Sequence, residues 1–253
     1  MTIVGCAGSY PTVSSAASCY LVEEDDADGR TWRVLLDLGS GALGPLQRYL
    51  HPKQIDAILL SHLHPDHFID TCGLYVALRY DPAGQVERRV PIHGPSGTRE
   101  RLIAAYGADD HGSLDDVYEV WPWGDGVPVR FGPITVTPYT VEHPVESYGM
   151  RVEAGGRVLA YSGDTDSCDG LTRLAGGADL LLSEASFVEG RDAARGIHLT
   201  GRRAGLAAGE AGAAKLLLTH LPAWTDPARA LAEARAVYSG PVSLAEPGAV
   251  LEI

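Results

Sequence analysis

Ser61-His62-Leu63-His64-Pro65-Asp66-His67 sets four groups able to bind a metal ion within six consecutive residues, His62 to His67. The stretch follows directly on an apolar run, Ala57-Ile58-Leu59-Leu60. A short apolar run that stops at a polar cluster reads as a buried strand ending at a site. His62 and His64 are two apart, so an extended chain points both imidazoles to one side. Pro65 ends the extended run. Asp66 and His67 then open a helix expected to run through Phe68-Ile69-Asp70 to Leu78. One corner therefore offers two ligand pairs. A single ion rarely draws so many ligands from one segment, which points to two ions side by side.

Charge narrows what such a site can act on. The 253 residues carry 33 acidic and 20 basic side chains, a net −13. A surface that binds nucleic acid needs Lys and Arg to neutralise phosphates, so a nucleic-acid partner is disfavoured. A small anion held by metal ions is not. The 45% hydrophobic content supports a sizeable core. Cys6, Cys19, Cys72 and Cys168 form no C-x-x-C pair and have irregular spacing, which reads as free thiols in a reducing compartment. The N-terminus has neither a charged n-region nor an apolar h-region, and no apolar run reaches about 18 residues. The expectation is a cytoplasmic enzyme without a membrane span.

Along the chain, Ile3-Val4 opens a first strand. Gly5-Cys6-Ala7-Gly8-Ser9-Tyr10-Pro11 reads as an ordinary turn after it, with a loop close to a substrate phosphate as the alternative. Strands follow at Ser18 to Val22 and Trp32 to Gly39, joined by a turn at Asp28-Gly29. Asp37 either supports the site from behind its ligands or only caps a turn. Val90 to Pro95 reads as a strand and Ser96 to Tyr106 as a helix, with Arg79 and Tyr80 at a solvated helix end. His93 and His111 lack neighbouring ligands and read as structural or surface residues. Asp109, Asp110, Asp115 and Asp116 read as a solvated acidic loop. Trp121-Pro122-Trp123 reads as an aromatic loop. Strands are expected at Val127 to Arg130 and Ile134 to Val141, helices at Thr200 to Gly212 and Asp226 to Tyr238. The tail from Val242 to Ile253 reads as a hairpin around Pro247-Gly248.

The joint pattern carries more than any one element. Five apolar strands end in His62, His143, Asp164, Glu184 and His220. Ligands at successive strand ends can converge on one sheet edge, where open α/β sheets place their sites. A lone histidine at a strand end is usually a polar boundary; five such ends together indicate a dinuclear metal centre.

His62-x-His64-x-Asp66-His67, followed by His143, Asp164 and His220, resembles the metallo-β-lactamase superfamily over nearly the whole chain. The resemblance implies an α/β fold, a four-layer αβ/βα sandwich of two similar halves, filling residues 1–253 as a single domain. It implies that His62, His64 and His143 hold one zinc ion, that Asp66, His67 and His220 hold the other, and that Asp164 bridges them. Imidazole and carboxylate suit Zn2+, Mn2+ and iron alike, so the residues alone leave the metal open. An Asp at the bridging position fits the hydrolase branches, whereas the β-lactamases carry Cys there. Asp70 departs from the wider motif, which often has Gly at that place.

Ser183-Glu184-Ala185-Ser186-Phe187 and Gly196-Ile197-His198-Leu199-Thr200-Gly201 resemble elements of the phosphodiesterase branch, which includes tRNase Z and cyclic-nucleotide phosphodiesterases. That likeness implies Asp66, His198 and Glu184 as catalytic residues, with His198 protonating the leaving oxygen. A carboxylate partner would fix the tautomer of that histidine and raise its pKa. In tRNase Z of the bacterial type, an arm that binds the tRNA elbow lies between the third histidine and the bridging aspartate. Here the segment from His143 to Asp164 is fully used by two strands. Gly5 to Ser9, His143 to Gly149, Tyr161 to Thr165 and Leu218 to Trp224 resemble the actinobacterial cyclic-nucleotide phosphodiesterases. The implied substrate is a small phosphodiester, cAMP first, and the implied assembly is a homodimer. An RNA 3′-processing endonuclease, a thioester or lactone hydrolase, and a non-enzymatic metal-dependent binding module are the alternatives.

Overall fold

The computed structural model describes residues 1–84, 88–107 and 113–253, so Asp109, Asp110 and His111 lie outside the described residues. The first half of the chain builds one seven-stranded sheet and the second half builds another. The first contains β1 (Thr2–Ala7), β2 (Ala16–Ala17), β3 (Cys19–Asp25), β4 (Thr31–Leu36), β5 (Ala57–Leu59), β6 (Val90–Gly94) and β7 (Tyr118–Pro122), in the order β2-β1-β3-β4-β5-β6-β7. The second contains β8 (Val129–Phe131), β9 (Ile134–Thr140), β10 (Tyr148–Ala154), β11 (Arg157–Tyr161), β12 (Leu180–Glu184), β13 (Leu216–Thr219) and β14 (Val242–Leu244), in the order β14-β13-β12-β11-β10-β9-β8. Apart from the short parallel pair β1–β2, each half begins with antiparallel pairs and changes to parallel ones, at β4–β5 and at β11–β12.

Alternation along the strands produces the layers. Val34 and Leu36 face the second sheet, where they meet Val136, Met150, Leu180 and Leu182; Leu35 points the other way. There it joins Leu74 and Leu78 of α3 (Thr71–Arg79), behind α1 (Leu43–Leu46) and α2 (Pro65–Phe68), and Leu102 of α4 (Thr98–Tyr106). Likewise Leu181 faces outward onto α5 (Asp169–Ala175), α6 (Gly201–Ala211) and α7 (Pro227–Arg235), through Leu171, Ala204 and Ala230. Helices, sheet, sheet and helices thus form the four-layer α/β sandwich of the metallo-β-lactamase fold.

Three expectations need correction. The helix expected from Asp66 to Leu78 is two helices, α2 and α3, broken at Ile69-Asp70. The break has a local cause: the Asp70 amide donates to the Leu38 carbonyl, and its carboxylate accepts the Leu43 amide at 2.8 Å. The tail is not a hairpin on itself. Its strand β14 pairs in parallel with β13, and the chain then crosses to β1, with Leu251 N–H donating to Met1 O. Nor is Trp121-Pro122-Trp123 a loop throughout. Trp121 and Pro122 end the edge strand β7, where proline is tolerated, and buried Trp123 donates its indole N–H to Leu60 O. Asp115 and Asp116 pair with Arg99 and Arg79, and half-buried His93 stacks on Trp123. Among the described residues, no helix is long and apolar enough to cross a membrane.

Candidate metal centre

Strand ends on one edge of the sandwich deliver the polar residues. His62 follows β5, His143 follows β9, Asp164 follows β11, Glu184 ends β12 and His220 follows β13. His64 is the N-cap of α2, with Pro65 at its first position, and α2 carries Asp66 and His67 in its single turn. A Cβ on Gly39 would stand 1.9 Å from the Asp66 carbonyl oxygen, so only glycine lets the loop after β4 close on this corner.

The side chains fall into two groups that share one carboxylate. His62, His64, His143 and Asp164 form the first; Asp66, His67, Asp164 and His220 form the second. In the first, His62 Nε2 lies 3.0 Å from His64 Nδ1 and 3.6 Å from Asp164 Oδ2, and His143 Nε2 lies 3.3 Å from His64 Nδ1. In the second, His67 Nε2 lies 3.1 Å from His220 Nε2 and 3.3 Å from Asp164 Oδ1, and His220 Nε2 lies 3.1 Å from Asp66 Oδ2. Ligands about 2.0–2.1 Å from a tetrahedral ion stand roughly 3.3 Å from one another. The spacing therefore matches a ligand set better than a set of mutual hydrogen bonds.

Two further observations fit cations. Buried Asp164 Oδ1 accepts no well-aligned hydrogen bond, an expensive arrangement for a carboxylate unless an ion compensates it. The outward nitrogens of His62, His67, His143 and His220 are also committed. His67 Nδ1 donates to Asp37 Oδ2 at 2.7 Å and His143 Nδ1 to Ile197 O at 2.8 Å. Ser186 Oγ donates to His220 O, so His220 Nδ1 must donate to Ser186 Oγ. Ser61 Oγ donates to Asp37 Oδ2, so His62 Nδ1 must donate to Ser61 Oγ. All four Nε2 lone pairs are thereby turned inward, as ligation requires.

Electrostatics agree. Burial, reinforced by His67, pushes His62 well below the usual histidine range, and burial lowers His64 and His143. Neutral imidazole is the ligating form. Burial also opposes charge on His67, but the Asp164 and Asp37 carboxylates override it and hold His67 well above that range. Burial opposes charge on Asp164 too, yet His220, His67 and His62 keep it ionised well below the usual carboxylate range. A proton on His67 and a bound cation would compensate the same carboxylates.

Beside the two groups lies a third. His198 Nδ1 donates to Glu184 Oε1 at 2.8 Å. Glu184 is held by Thr165 N–H on Oε1 and Ser186 N–H on Oε2. Burial disfavours a charged His198, but the Glu184 carboxylate outweighs it and lifts the imidazole to about 9. The ring packs beside His143, His220 and Phe187, and its side chain stays 15% exposed. It can carry a proton and still reach a ligand.

Every site residue expected from the sequence converges here, and Asp37 does support the site, through Ser61, His67 and Tyr161. The sequence reading missed Asp166. Its buried carboxylate binds Arg203, takes Arg195 Nε at 2.9 Å and takes the Gly196 amide at 2.8 Å, which anchors the loop that delivers His198. Nothing local announces that role, because the partners lie far along the chain. Strain also collects at the site. Ser9, Asp37 and His220 have φ of 65°, 59° and 55°, and they are the non-glycine residues with positive φ among the described residues.

Comparison with known proteins agrees with the geometry. Residues 32–221 match the beta-lactamase superfamily domain. An uncharacterised protein of Mycobacterium leprae is 43% identical over all of this chain and 88% of its own length. The probable metallo-hydrolase YhfI of Bacillus subtilis is 33% identical over 100% of this chain and 99% of its own. The crystal structure of YhfI superposes with a TM-score of 0.87 at 32% identity, covering 99% of this chain and 97% of that one. Ribonuclease Z of Haloferax volcanii is 28% identical over 100% of this chain and 94% of its own length. The chain belongs to the metallo-β-lactamase superfamily, in its tRNase Z-like branch. It is a metallo-hydrolase related to RNase Z, with His/Asp clusters able to bind metal.

Proposed function

We propose that the protein is a dinuclear metal phosphodiesterase that opens 3′,5′-cyclic nucleotides, cAMP first, to nucleoside monophosphates. The observation that carries this reading is the His198–Glu184 pair at 2.8 Å, set against the carboxylate that both metal groups share. A thioester expels a thiolate, which leaves without that pair, whereas an alkoxide leaving a phosphodiester needs a proton. His62, His64 and His143 would hold one ion, Asp66, His67 and His220 the other, with Asp164 between them. Zinc is the first choice for this donor set, with manganese and iron next. Bound there, two divalent ions would supply an ionised water near neutral pH and positive charge toward the phosphoryl oxygens.

The chain's own residues supply the rest. Asp66 Oδ2, against His220 Nε2, is a carboxylate placed to orient the attacking water. His198, held protonated by Glu184, donates from Nε2 to the departing ribose oxygen. Thr165 and Ser186 amides keep Glu184 from turning away. Asp166 holds the backbone of the His198 loop.

Two features favour a small substrate over an RNA. The net charge is −13, and the residues between His143 and Asp164 are taken up by β10 and β11, which leaves no length for an RNA-binding arm. The proposal extends to a homodimer in the cytoplasm; the four cysteines, all free, suit a reducing compartment.

The test is a substrate panel. Protein loaded with zinc or manganese is offered cAMP, cGMP, bis(p-nitrophenyl) phosphate, a precursor tRNA and a thioester. Turnover of the cyclic nucleotides is expected. Metal-loaded protein that turns over no phosphodiester refutes the proposal, and preferential cleavage of the RNA or the thioester replaces it.

A further inference from the structure

The turn after β1 is part of the site's wall. A Cβ on Gly8 would stand 2.3 Å from the His220 carbonyl oxygen, so glycine lets this turn press on the end of β13. Ser9, in its left-handed conformation, directs its amide N–H toward His220 Nε2 from 3.5 Å. That nitrogen is also the one facing Asp66 and His67. A ligand that occupies the lone pair of His220 leaves the Ser9 N–H aimed at the metal centre and free to donate.

Tyr10 comes next. Its ring leans on Trp224, in the segment leaving His220, with centroids 5.6 Å apart and planes inclined at 40°. Tyr10 is 44% exposed and Trp224 60% exposed. Among the described residues, no other aromatic pair has both rings exposed. Rings in this position stabilise no core, and they offer flat apolar faces beside a centre built for an anion. One class of small molecule joins those two demands, a phosphoryl group linked through a sugar to a flat heteroaromatic base.

We infer that Tyr10 and Trp224 form a stacking platform for the nucleobase of a mononucleotide whose phosphoryl group lies at the metal centre, with the Ser9 amide donating to a phosphoryl oxygen. The inference rests on the phosphodiesterase reading and adds its specificity subsite. Stacking is tolerant of base identity, because every base has a π face. The platform therefore selects for the presence of a base more strongly than for adenine over guanine.

The experiment is calorimetric titration of the zinc-loaded protein with AMP and with ribose 5-phosphate, which differ only in the base. The unaltered protein is expected to bind AMP about tenfold or more tightly than ribose 5-phosphate. Y10A and W224A should each weaken AMP binding about 5- to 100-fold and leave ribose 5-phosphate unchanged. Y10F and W224F should keep most of the preference. Equal binding of the two ligands by the unaltered protein, or unchanged AMP affinity in both alanine variants, overturns the platform while the phosphodiesterase reading stands. If neither ligand binds although zinc is bound, the platform is overturned as well, and the phosphodiesterase reading falls only if the substrate panel also shows no turnover of any phosphodiester.

Discussion

His198 Nδ1 lies 2.8 Å from Glu184 Oε1, and that same oxygen accepts the amide of Thr165, the residue next to the shared Asp164. The proton carrier and the central carboxylate are therefore fixed to one short piece of backbone. The two are separable by mutation, because His198 contributes no nitrogen to either of the two groups that share Asp164.

His198→Ala is expected to keep its metal and lose turnover of alkyl phosphodiesters by about 10²- to 10⁴-fold, the usual contribution of a positioned acid. With p-nitrophenolate as leaving group, which needs little protonation, the loss should be much smaller. Parallel metal analysis and kinetics on cAMP and bis(p-nitrophenyl) phosphate check this. Equal losses on both substrates contradict the role of His198 as acid.

The metal-free protein gives a pH prediction with a definite sign. His198 is raised from 6.5 to about 9 by Glu184 against the pull of burial. Because the folded value is the higher one, the pair's contribution to stability is fully present below pH 6.5 and lost as pH rises through about 9. NMR titration should find the His198 imidazole, assigned by its absence in His198→Ala, at that elevated value. In Glu184→Gln it should fall to the ordinary range or lower, since burial remains and its counter-charge is gone.

Asp37 should matter more for stability than its distance from substrate suggests. It is buried and accepts from Ser61 N, Ser61 Oγ, His67 Nδ1 and Tyr161 OH at 2.6–2.8 Å. Asp37→Ala would strand those donors in the interior, at a cost of about 3–5 kcal/mol, and lower metal affinity about 10- to 100-fold. Denaturant unfolding and a metal titration are the checks. A change under about 1 kcal/mol, with normal metal affinity, would show that the network does not hold the ligands.

Metal should also be a structural component. Removing it leaves Asp164 and its neighbours uncompensated, so a chelator should lower Tm. Restoring metal at a hundredfold excess over Kd should return about 3 kcal/mol per site. An unchanged Tm on chelation would mean that no ion was held.

Much of this was legible in the chain because ligands and strand ends are local signals. His62 to His67 stand together, and His143, Asp164, Glu184 and His220 each close an apolar run. The layers follow from two-residue alternation, visible in Val34, Leu35 and Leu36. What was hidden depends on distant partners. The break at Asp70 is made by Leu38 and Leu43, and Asp166 acts through Arg195 and Arg203. The tail pairs with β1 because the two chain ends meet across the fold, which no local pattern records. Ser9 and Tyr10 read as an ordinary turn for the same reason, since their neighbour His220 is at the other end of the sequence.

The most direct test of the dinuclear phosphodiesterase proposal is a metal titration of the metal-free protein with cAMP hydrolysis followed in parallel. The expected result is saturation at two ions per chain, with activity rising as the second site fills, and Asp164→Ala losing both. Saturation at two ions with no hydrolysis of any phosphodiester, or full activity in Asp164→Ala, would contradict it.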